Sequence, residues 1–298
     1  MTEEPIATRL RTAGLDAAAV VAFTASALAE DLAGGIDVTT AATVRAGVHG
    51  RADLVARSPG VAAGLPVAEA VFSLAAATAA IEPLSCTPTS PDGDRVLAGQ
   101  SLMTVTGPVA AILTAERTAL NLLCHLSGIA TVTRQWVDAV AGTKAQIRDT
   151  RKTTPGMRAL EKYAVRCGGG INHRMALSDA ALIKDNHVAA AGSVAAAFDA
   201  VRTVAPGLPL EVECDTLDQV AEALAAGADL ILLDNFELAD MAKAVRLARG
   251  QALLEASGGL SLAGARAVAE TGVDYLSVGA LTHSAPSLDI GLDLVQAG

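Results

Sequence analysis

The chain has 298 residues and a formal net charge of −10 at pH 7. That charge disfavours general binding to nucleic acid or to anionic membranes, and the scarcity of aromatic residues (2%) argues against a stacking platform for single-stranded nucleic acid. Half of the residues are apolar (51%), and the Ala-, Val-, Leu- and Gly-rich mixture suits helices packed closely on a parallel sheet.

The first part of the chain has a mixed pattern that favours helices and a few strands. Apolar periodicity predicts helices over residues 16–32 and 67–80 and a strand over 96–107, with short apolar segments around 52–56. Pro108 then opens a long helical pattern, which we expect to break near Ser127-Gly128 and to end at Gly142.

From residue 144 onward, short apolar runs alternate with amphipathic segments at the spacing of successive βα units. The runs predict buried parallel strands at residues 145–149, 181–184, 210–214, 229–233, 252–255 and 275–278. Helices are predicted at residues 194–204, 217–226, 238–249 and 262–270. This number of units favours an irregular (β/α) barrel, with an open doubly wound sheet as the alternative.

Polar, charged or Gly-rich residues follow each predicted strand, at the end where barrel and open-sheet enzymes bind their ligands. In chain order they are Thr150-Arg151-Lys152, Lys184-Asp185, Glu213 to Asp215, Asp234-Asn235, Ser257-Gly258-Gly259 and Gly279-Ala280. One polar strand end would mean little, but recurrence at every strand favours a site.

The segment from Lys144 to Lys184 is strongly basic, with nine Lys or Arg against three acids. Arg158, Glu161, Lys162 and Arg166 have helix-face spacing and fit either an ion-paired, solvated face or an anion site. Arg151, Lys152, Arg174 and Lys184 come instead from strand ends and a Gly-rich loop. Four converging cations predict a ligand with two or three negative charges.

The last two strands are followed by glycines in EASGGLS (255–261) and VGALTHS (278–284), where barrels of this kind bind phosphate. Glu213 and Asp234 suit ribose hydroxyls or Mg²⁺, or alternatively serve a neighbouring lysine. His173 and His187 could each act as acid, base or hydrogen-bonding anchor. No arrangement for nucleophilic catalysis is evident in the sequence.

The four cysteines lie far apart, without a CxxC pair or a histidine at metal-ligand spacing. We interpret them as reduced thiols of a cytoplasmic protein. The N-terminal MTEEPIATRL lacks the apolar core of a signal peptide, and the longest uncharged run, residues 96–115, is interrupted by Gly and Pro. We therefore expect neither a signal peptide nor a membrane span.

The block DTRKTTPGMRALEKYAVRCGGGINHRMALSDAALIKDNH (149–187) closely resembles the signature of the quinolinate phosphoribosyltransferases. ERTALNLLCHLSGIAT (116–131), EASGG (255–259) and SVGALTHS (277–284) resemble the same family. The resemblance implies an N-terminal α/β sandwich over residues 1–126, with the tail 286–298 packing back on it. It also implies an irregular open (β/α) barrel of about six to seven strands over residues 127–285.

The resemblance implies conversion of quinolinate and 5-phosphoribosyl-1-pyrophosphate (PRPP) to nicotinate mononucleotide, pyrophosphate and CO₂, with Mg²⁺, in NAD biosynthesis. It places Arg151, Arg174 and Lys184 on the carboxylates of quinolinate, with His173 nearby. It places Lys152 on the pyrophosphate, with Thr150 in the same loop. It assigns binding of the ribose and Mg²⁺ to Glu213 and Asp234. It assigns binding of the 5-phosphate to Ser257, Gly258, Gly259 and Gly279. Lys152, Lys184, Glu213 and Asp234 are the catalytic candidates.

The resemblance further implies a homodimer in which Arg117 reaches the partner's site. Three other interpretations stay open at this point. A paralogous group associated with molybdate-uptake genes shares the fold and similar motifs. A Schiff-base aldolase would use Lys184 or Lys152 as its amine. A phosphometabolite sensor would bind the same anions without catalysis.

Overall fold

The computed structural model describes residues 6–79 and 82–295, and the chain divides into two compact units. The first comprises Met1–Val132, Thr154–Gly168 and Ser284–Gly298, and the second comprises Thr133–Thr153 and Gly169–His283. Parts of three predictions lie outside the described residues: the acidic N-terminus, the end of the helix predicted over 67–80, and the last three residues of the tail.

The first unit contains two antiparallel sheets, of which the smaller pairs β2 with β4, and six helices within the described residues. Its strands are β1 (His49–Ala56), β2 (Gly60–Val61), β3 (Ser85–Pro88), β4 (Arg95–Val96), β5 (Ser101–Pro108) and, from the tail, β12 (Ile290–Val295). Its helices are α1 (Ile6–Thr12), α2 (Ala17–Leu32), α3 (Val38–Thr43), α4 (Leu65–Thr78), α5 (Val109–Ala139) and α6 (Arg158–Cys167). Helix α5 continues beyond Val132 into the second unit.

The main sheet of this unit has the strand order β12-β1-β5-β3. Side chains alternate along β1, so that Ala52, Leu54 and Ala56 are buried while Arg51 is exposed. Strand β12 pairs antiparallel with β1 along its length, from Ala56 opposite Ile290 to Arg51 opposite Val295. The tail therefore completes the edge of the N-terminal sheet.

Helix α5 runs without interruption for 31 residues, so the break predicted at Ser127-Gly128 is wrong. Ser127 is buried, and its hydroxyl accepts from the N–H of Ala63 at 3.1 Å and donates to the Ala63 carbonyl at 3.2 Å. A Cβ at Gly128 would lie 2.1 Å from the carbonyl oxygen of Pro286. The pair therefore permits two backbone segments to approach the helix closely, and this is why small residues interrupt the helical pattern.

Helix α6 is amphipathic, but the solvated-face interpretation is wrong for two of its four charged residues. Glu161 and Lys162 are both fully buried (0% exposed). His125 Nε2 lies 2.9 Å from Glu161 Oε1, and the backbone N–H of Thr154 donates to Glu161 Oε2 at 3.0 Å. Glu161 therefore ties α5 and the segment before α6 to the helix.

The second unit contains a parallel sheet with helices between successive strands. Its strands are β6 (Gln146–Arg148), β7 (Ala181–Ile183), β8 (Leu210–Cys214), β9 (Leu230–Asp234), β10 (Leu253–Ser257) and β11 (Tyr275–Ser277). Its helices are α7 (Asp185–Ala191), α8 (Val194–Val204), α9 (Leu217–Ala225), α10 (Leu238–Ala248), α11 (Ala265–Glu270) and α12 (Ala280–His283). All six strands and the four helices predicted here are confirmed, with ends that differ by a few residues.

The strand order β6-β11-β10-β9-β8-β7 distinguishes the two predicted topologies. A doubly wound sheet reverses its strand order at a switch point, whereas here β7 to β11 follow one another as in the chain. Strand β6 pairs with β11, as the first strand of a closed barrel pairs with the last. The sheet is therefore a barrel that is open between β6 and β7, and the irregular-barrel prediction is confirmed.

Local side chains set the ends of these elements. Ser193 and Thr216 begin α8 and α9 by accepting backbone N–H groups of the first turn. The helix predicted over 262–270 starts as a short 3₁₀ turn (Leu262–Gly264) before α11.

Among the described residues no single helix is long and apolar enough to cross a membrane. Helices α1 and α2 are long and apolar enough only when taken together, and they are bent by 115° relative to each other.

Candidate active site

The polar residues predicted at the carboxyl ends of the parallel strands converge on one cavity in the second unit. The cavity has a volume of about 450 Å³. It is lined by Thr150, Arg151, Lys152, His173, Arg174, Leu182, Lys184, Glu213, Leu232, Asp234, Ser257 and Ser277. Parallel strands all end at the same edge of the sheet, which is why residues distant in sequence meet there.

Strand alternation decides which side chains face the cavity. Side chains two residues apart on a strand lie on the same side, so Leu182 shares its side with Lys184, and Leu232 with Asp234. Three lining residues that were not predicted, Leu182, Leu232 and Ser277, lie two positions before a predicted strand-end residue. Strand alternation is the signal that could have identified them.

Lys184 and Glu213 form an ion pair across the neighbouring strands β7 and β8. The Lys184 side chain remains 47% exposed, so the lysine is not buried at the strand end as its apolar surroundings in sequence suggested. The alternative that Glu213 serves a neighbouring lysine is thus realised at this position. Asp234 accepts from the Asn235 side chain at 2.7 Å, and the two carboxylates line the same cavity.

Arg151 and Arg174 bring two positive charges to the cavity. Burial and the charge of Arg151 lower the pKa of the Arg174 guanidinium, against opposing effects of Glu211 and Asp179. The buried Nε–H of Arg151 has no hydrogen-bond partner among the residues that the structure describes. An anion bound beside both arginines would relieve their repulsion and accept from this donor.

His173 is held by protein groups on both ring nitrogens. Its Nδ1 accepts from the backbone N–H of Arg174 at 2.7 Å, and its Nε2 lies 2.8 Å from Glu211 Oε2. A backbone N–H can only donate, so Nδ1 carries a lone pair and Nε2 carries the proton. In this arrangement the ring orients the cavity wall and has no free nitrogen for a general base.

Below His173 lies a buried cluster that the sequence analysis did not identify. Glu211 and Glu255 approach the ring, and Arg148 forms an ion pair with Glu255 and lies 4.7 Å from the ring centre of Tyr275. Burial and the charge of Glu211 raise the pKa of Glu255. An acid inside an apolar strand, two residues before a polar strand end, was the signal in EVEC and LLEAS.

His173, Glu211 and Glu255 bring potential ligand atoms within 4.8 Å of one another. The only lone pair of the neutral imidazole is used by the Arg174 N–H. Metal binding at Nε2 would need that hydrogen bond broken or the ring deprotonated. We therefore interpret the cluster as a buried support whose carboxylates lie against the Nε2 side of the His173 ring.

The predicted phosphate glycines lie where close backbone approach is required. Gly258 has a φ of +87°, and a Cβ there would lie 2.2 Å from Asn235 Oδ1. A Cβ at Gly279 would lie 2.8 Å from Lys152 Cδ. Gly259 is exposed, with a φ of +57°. Neighbouring atoms therefore favour glycine at 258 and 279, and the positive φ favours it at 258 and 259; phosphate loops use glycine for the same freedom.

Five predicted residues lie outside this cavity's lining: the three glycines at 258, 259 and 279, His187 and Arg117. His187 Nδ1 accepts from the backbone N–H of Lys184 at 2.9 Å, so it anchors the start of α7. Arg117 belongs to the first unit, on α5, where the residue is exposed.

The chain matches two family models along most of its length. Residues 37–127 match the N-terminal domain of quinolinate phosphoribosyl transferase, and residues 129–293 match its C-terminal domain. Among curated relatives, the carboxylating nicotinate-nucleotide pyrophosphorylase of Mycobacterium leprae is 56% identical over 271 residues, covering 90% of this chain and 94% of the relative. The human protein of the same name is 38% identical over 283 residues, covering 92% and 91%.

Solved structures agree with the sequence relatives. The nicotinate-nucleotide pyrophosphorylase of Francisella tularensis superposes with a TM-score of 0.88 at 39% identity, covering 93% of this chain and 96% of that chain. NadC from Streptococcus pyogenes superposes with a TM-score of 0.87 at 38% identity, covering 99% and 100%. The chain therefore belongs to the quinolinate phosphoribosyltransferase family.

Proposed function

We propose that the chain catalyses the carboxylating reaction in which quinolinate and PRPP give nicotinate mononucleotide, pyrophosphate and CO₂, a step of NAD biosynthesis. The observation that carries the proposal is the pairing of Arg151 and Arg174 in a cavity whose other strand ends carry Glu213 and Asp234. One side thus suits a dicarboxylate, and the other suits a sugar with hydroxyl groups and a bound cation.

Quinolinate binds to the cationic side of the cavity. Arg151 and Arg174 each offer planar guanidinium donors to a carboxylate, and Lys184 adds a mobile point charge. Leu182 and Leu232 line the same cavity and provide apolar surface for the pyridine ring. His173 contributes by orienting Arg174.

PRPP binds across the opposite strand ends. Lys152 and Thr150 approach the pyrophosphate, and Ser257 and the three glycines at 258, 259 and 279 receive the 5-phosphate. Thr282 Oγ1 donates to the carbonyl oxygen of Lys152 at 2.7 Å and so holds the lysine's backbone. The carboxylates of Glu213 and Asp234 bind the ribose hydroxyls.

The carboxylates of Glu213 and Asp234 also fit Mg²⁺, which prefers oxygen ligands and is commonly held by one or two carboxylates together with substrate phosphates. When bound, the ion would neutralise charge on the departing pyrophosphate. Lys184 also forms an ion pair with Glu213, so its positive charge offsets part of the negative charge that this carboxylate presents to the ion.

The chain's residues catalyse by orientation and charge stabilisation. Arg151, Arg174 and Lys184 hold the ring nitrogen of quinolinate against the anomeric carbon of PRPP. Such positioning can lower the activation barrier by about 7–11 kcal/mol in well-oriented reactions. Lys152 stabilises the pyrophosphate as the C–O bond breaks. When CO₂ leaves, the electron pair of the broken C–C bond stays on C2. The adjacent nitrogen, now quaternary and positively charged, stabilises that carbanion until it is protonated. The route needs no enzyme nucleophile.

The active form is a homodimer in which Arg117 of one protomer completes the quinolinate site of the other. The exposed position of Arg117 on α5 leaves its side chain available to a partner protomer.

All four cysteines are free thiols, as a reducing compartment would keep them, and we place the reaction in the cytoplasm.

The direct test mixes purified protein with quinolinate, PRPP and Mg²⁺ and follows nicotinate mononucleotide and pyrophosphate by chromatography. Nicotinate and nicotinamide replace quinolinate in matched reactions. We expect product only with quinolinate, with one CO₂ released per nucleotide formed. Turnover on nicotinate but not on quinolinate would overturn the carboxylating assignment.

A Schiff-base aldolase using Lys184 or Lys152 is disfavoured, because both lysines line the cavity together with Arg151 and Arg174. Such a set of cations suits a polyanion more than imine chemistry. Borohydride trapping with a carbonyl substrate would detect an imine if one formed.

A further inference from the structure

The buried carboxylate of Asp149 joins the two segments that carry the arginines of the quinolinate site. We propose that Asp149 is a positioning residue that sets the distance between Arg151 and Arg174 and thereby the affinity for the dicarboxylate. The inference rests on the proposed function, because it assigns a further residue to that same site. Asp149 does not line the cavity itself and is 0% exposed.

Both oxygens of Asp149 hold the Gly-rich loop. Oδ1 accepts from the backbone N–H of His173 at 2.8 Å, and Oδ2 accepts from the Asn172 side chain at 2.5 Å. The backbone of Asp149 continues this attachment, since its N–H donates to the carbonyl of Ile171 at 3.2 Å. Ser277 Oγ donates to its carbonyl oxygen at 3.4 Å. One residue thus links β6, the loop and β11.

The segments that Asp149 links are the ones that carry Arg151 and Arg174. Asp149 directly precedes Thr150, Arg151 and Lys152, and the loop residue that it binds, His173, directly precedes Arg174. The His173 ring then accepts from the Arg174 N–H and so fixes the start of that residue. The two guanidinium groups therefore sit on segments joined through one carboxylate.

A bridge is needed because the two segments would otherwise separate. The charge of Arg151 disfavours the charged form of Arg174, so the pair repels before an anion arrives. Hydrogen bonds to a charged acceptor are stronger than neutral ones, which suits a carboxylate for this position. The site is thus preorganised. Binding of the dicarboxylate does not have to supply all of the free energy needed to bring Arg151 and Arg174 together.

The test compares Asp149→Asn, the swap Asp149→Asn/Asn172→Asp, and the control Asp274→Asn in the full chain. In Asp149→Asn an amide donor faces the Asn172 donor, whereas the swap restores one donor and one acceptor with the same net charge. Asp274 is a matched control, because its carboxylate also accepts a backbone N–H in this unit, from Leu254 at 2.9 Å, at the amino end of β11.

We expect Asp149→Asn to raise KM for quinolinate by roughly 10- to 100-fold with a much smaller change for PRPP, as loss of a charged hydrogen bond predicts. The swap should recover most of the quinolinate KM, and Asp274→Asn should match wild type. A fold destabilised in a general way would lower the active fraction and kcat without this split. If Asp149→Asn does not fold, Asn172→Ala removes one donor and should raise the quinolinate KM in the same direction.

An unchanged quinolinate KM in Asp149→Asn, or in its substitute Asn172→Ala, would overturn the inference. So would an equal rise for both substrates, a swap that does not recover, or an equal rise in Asp274→Asn. Wild-type turnover separates the two proposals. If wild type does not use quinolinate, the proposed function fails and the inference fails with it, whereas an active wild type with a normal variant refutes the inference alone.

Discussion

Arg151 and Arg174 lie near enough for the charge of Arg151 to lower the pKa of the Arg174 guanidinium, although 23 positions separate them in the chain, as the numbering shows. Two like charges at one cavity are unfavourable without an anion between them. Their placement at the ends of β6 and of the Gly-rich loop follows from the barrel. The relationship therefore indicates that this part of the cavity suits a negatively charged group.

Replacing Arg174 by Ala should weaken quinolinate binding far more than PRPP binding. Loss of a charge-assisted clamp predicts a rise in quinolinate KM on the order of 100-fold, with PRPP affected by less than about threefold. Steady-state kinetics with each substrate varied in turn measures both. Arg202→Ala is the matched control, because Arg202 donates to the backbone carbonyls of residues 226 and 227 and lies over the Phe198 ring in the same unit. Equal losses for both substrates would contradict the assignment.

Replacing Lys184 by Ala should lower kcat by about 10²-fold, the usual effect of removing one charge-stabilising group from a reacting site. The measurement is single-turnover formation of nicotinate mononucleotide at saturating substrates. Lys243→Ala provides the control, because Lys243 forms an exposed ion pair with Asp240 on α10. Near-normal turnover in Lys184→Ala would show that the Lys184–Glu213 pair is structural.

Gly258→Ala should impair the phosphate end of the site. Its positive φ strains any other residue, and the new Cβ would meet Asn235 Oδ1. We expect a loss of roughly 1–3 kcal/mol in the free energy of unfolding and a raised PRPP KM. Gly250→Ala has a similar φ of +75° but open space around it, so it reports backbone strain alone. Thermal unfolding and PRPP titration distinguish the two variants. Equal losses of stability and of PRPP affinity in Gly258→Ala and Gly250→Ala would refute an effect of the contact with Asn235 Oδ1.

Acid pH should remove the stability that Glu161 contributes. Burial by itself would raise its pKa, but hydrogen bonds from His125 and Thr154 outweigh burial and lower the pKa. A lowered pKa in the folded state means that the contribution is complete above the ordinary value of about 4.5 and is lost as pH falls through the folded-state pKa.

Unfolding of wild type and Glu161→Gln across this range measures the effect. Wild type should be the more stable protein near neutral pH, and the difference between the two should shrink as the carboxylate is protonated. A difference that does not depend on pH would mean that shape rather than charge makes Glu161 important.

Much of the fold could be predicted because the barrel strands are buried on both faces. A continuous apolar run such as LILLD marks such a strand without further context. Helix α5 shows the limit of the method. Ser127 and Gly128 read as a break, yet they are small because the Ala63 and Pro286 backbones approach there, and those contacts come from distant parts of the chain.

The sequence by itself determined the α/β class, the strand-end positions and the basic character of the segment from Lys144 to Lys184. Local periodicity and residue type carry that information. Only the tertiary structure decided that Lys162 is buried, that Lys184 pairs with Glu213, and that Asp149 supports the two arginine segments. Each depends on contacts across dozens of residues, and such partners are chosen by strand order and register, which no local pattern specifies.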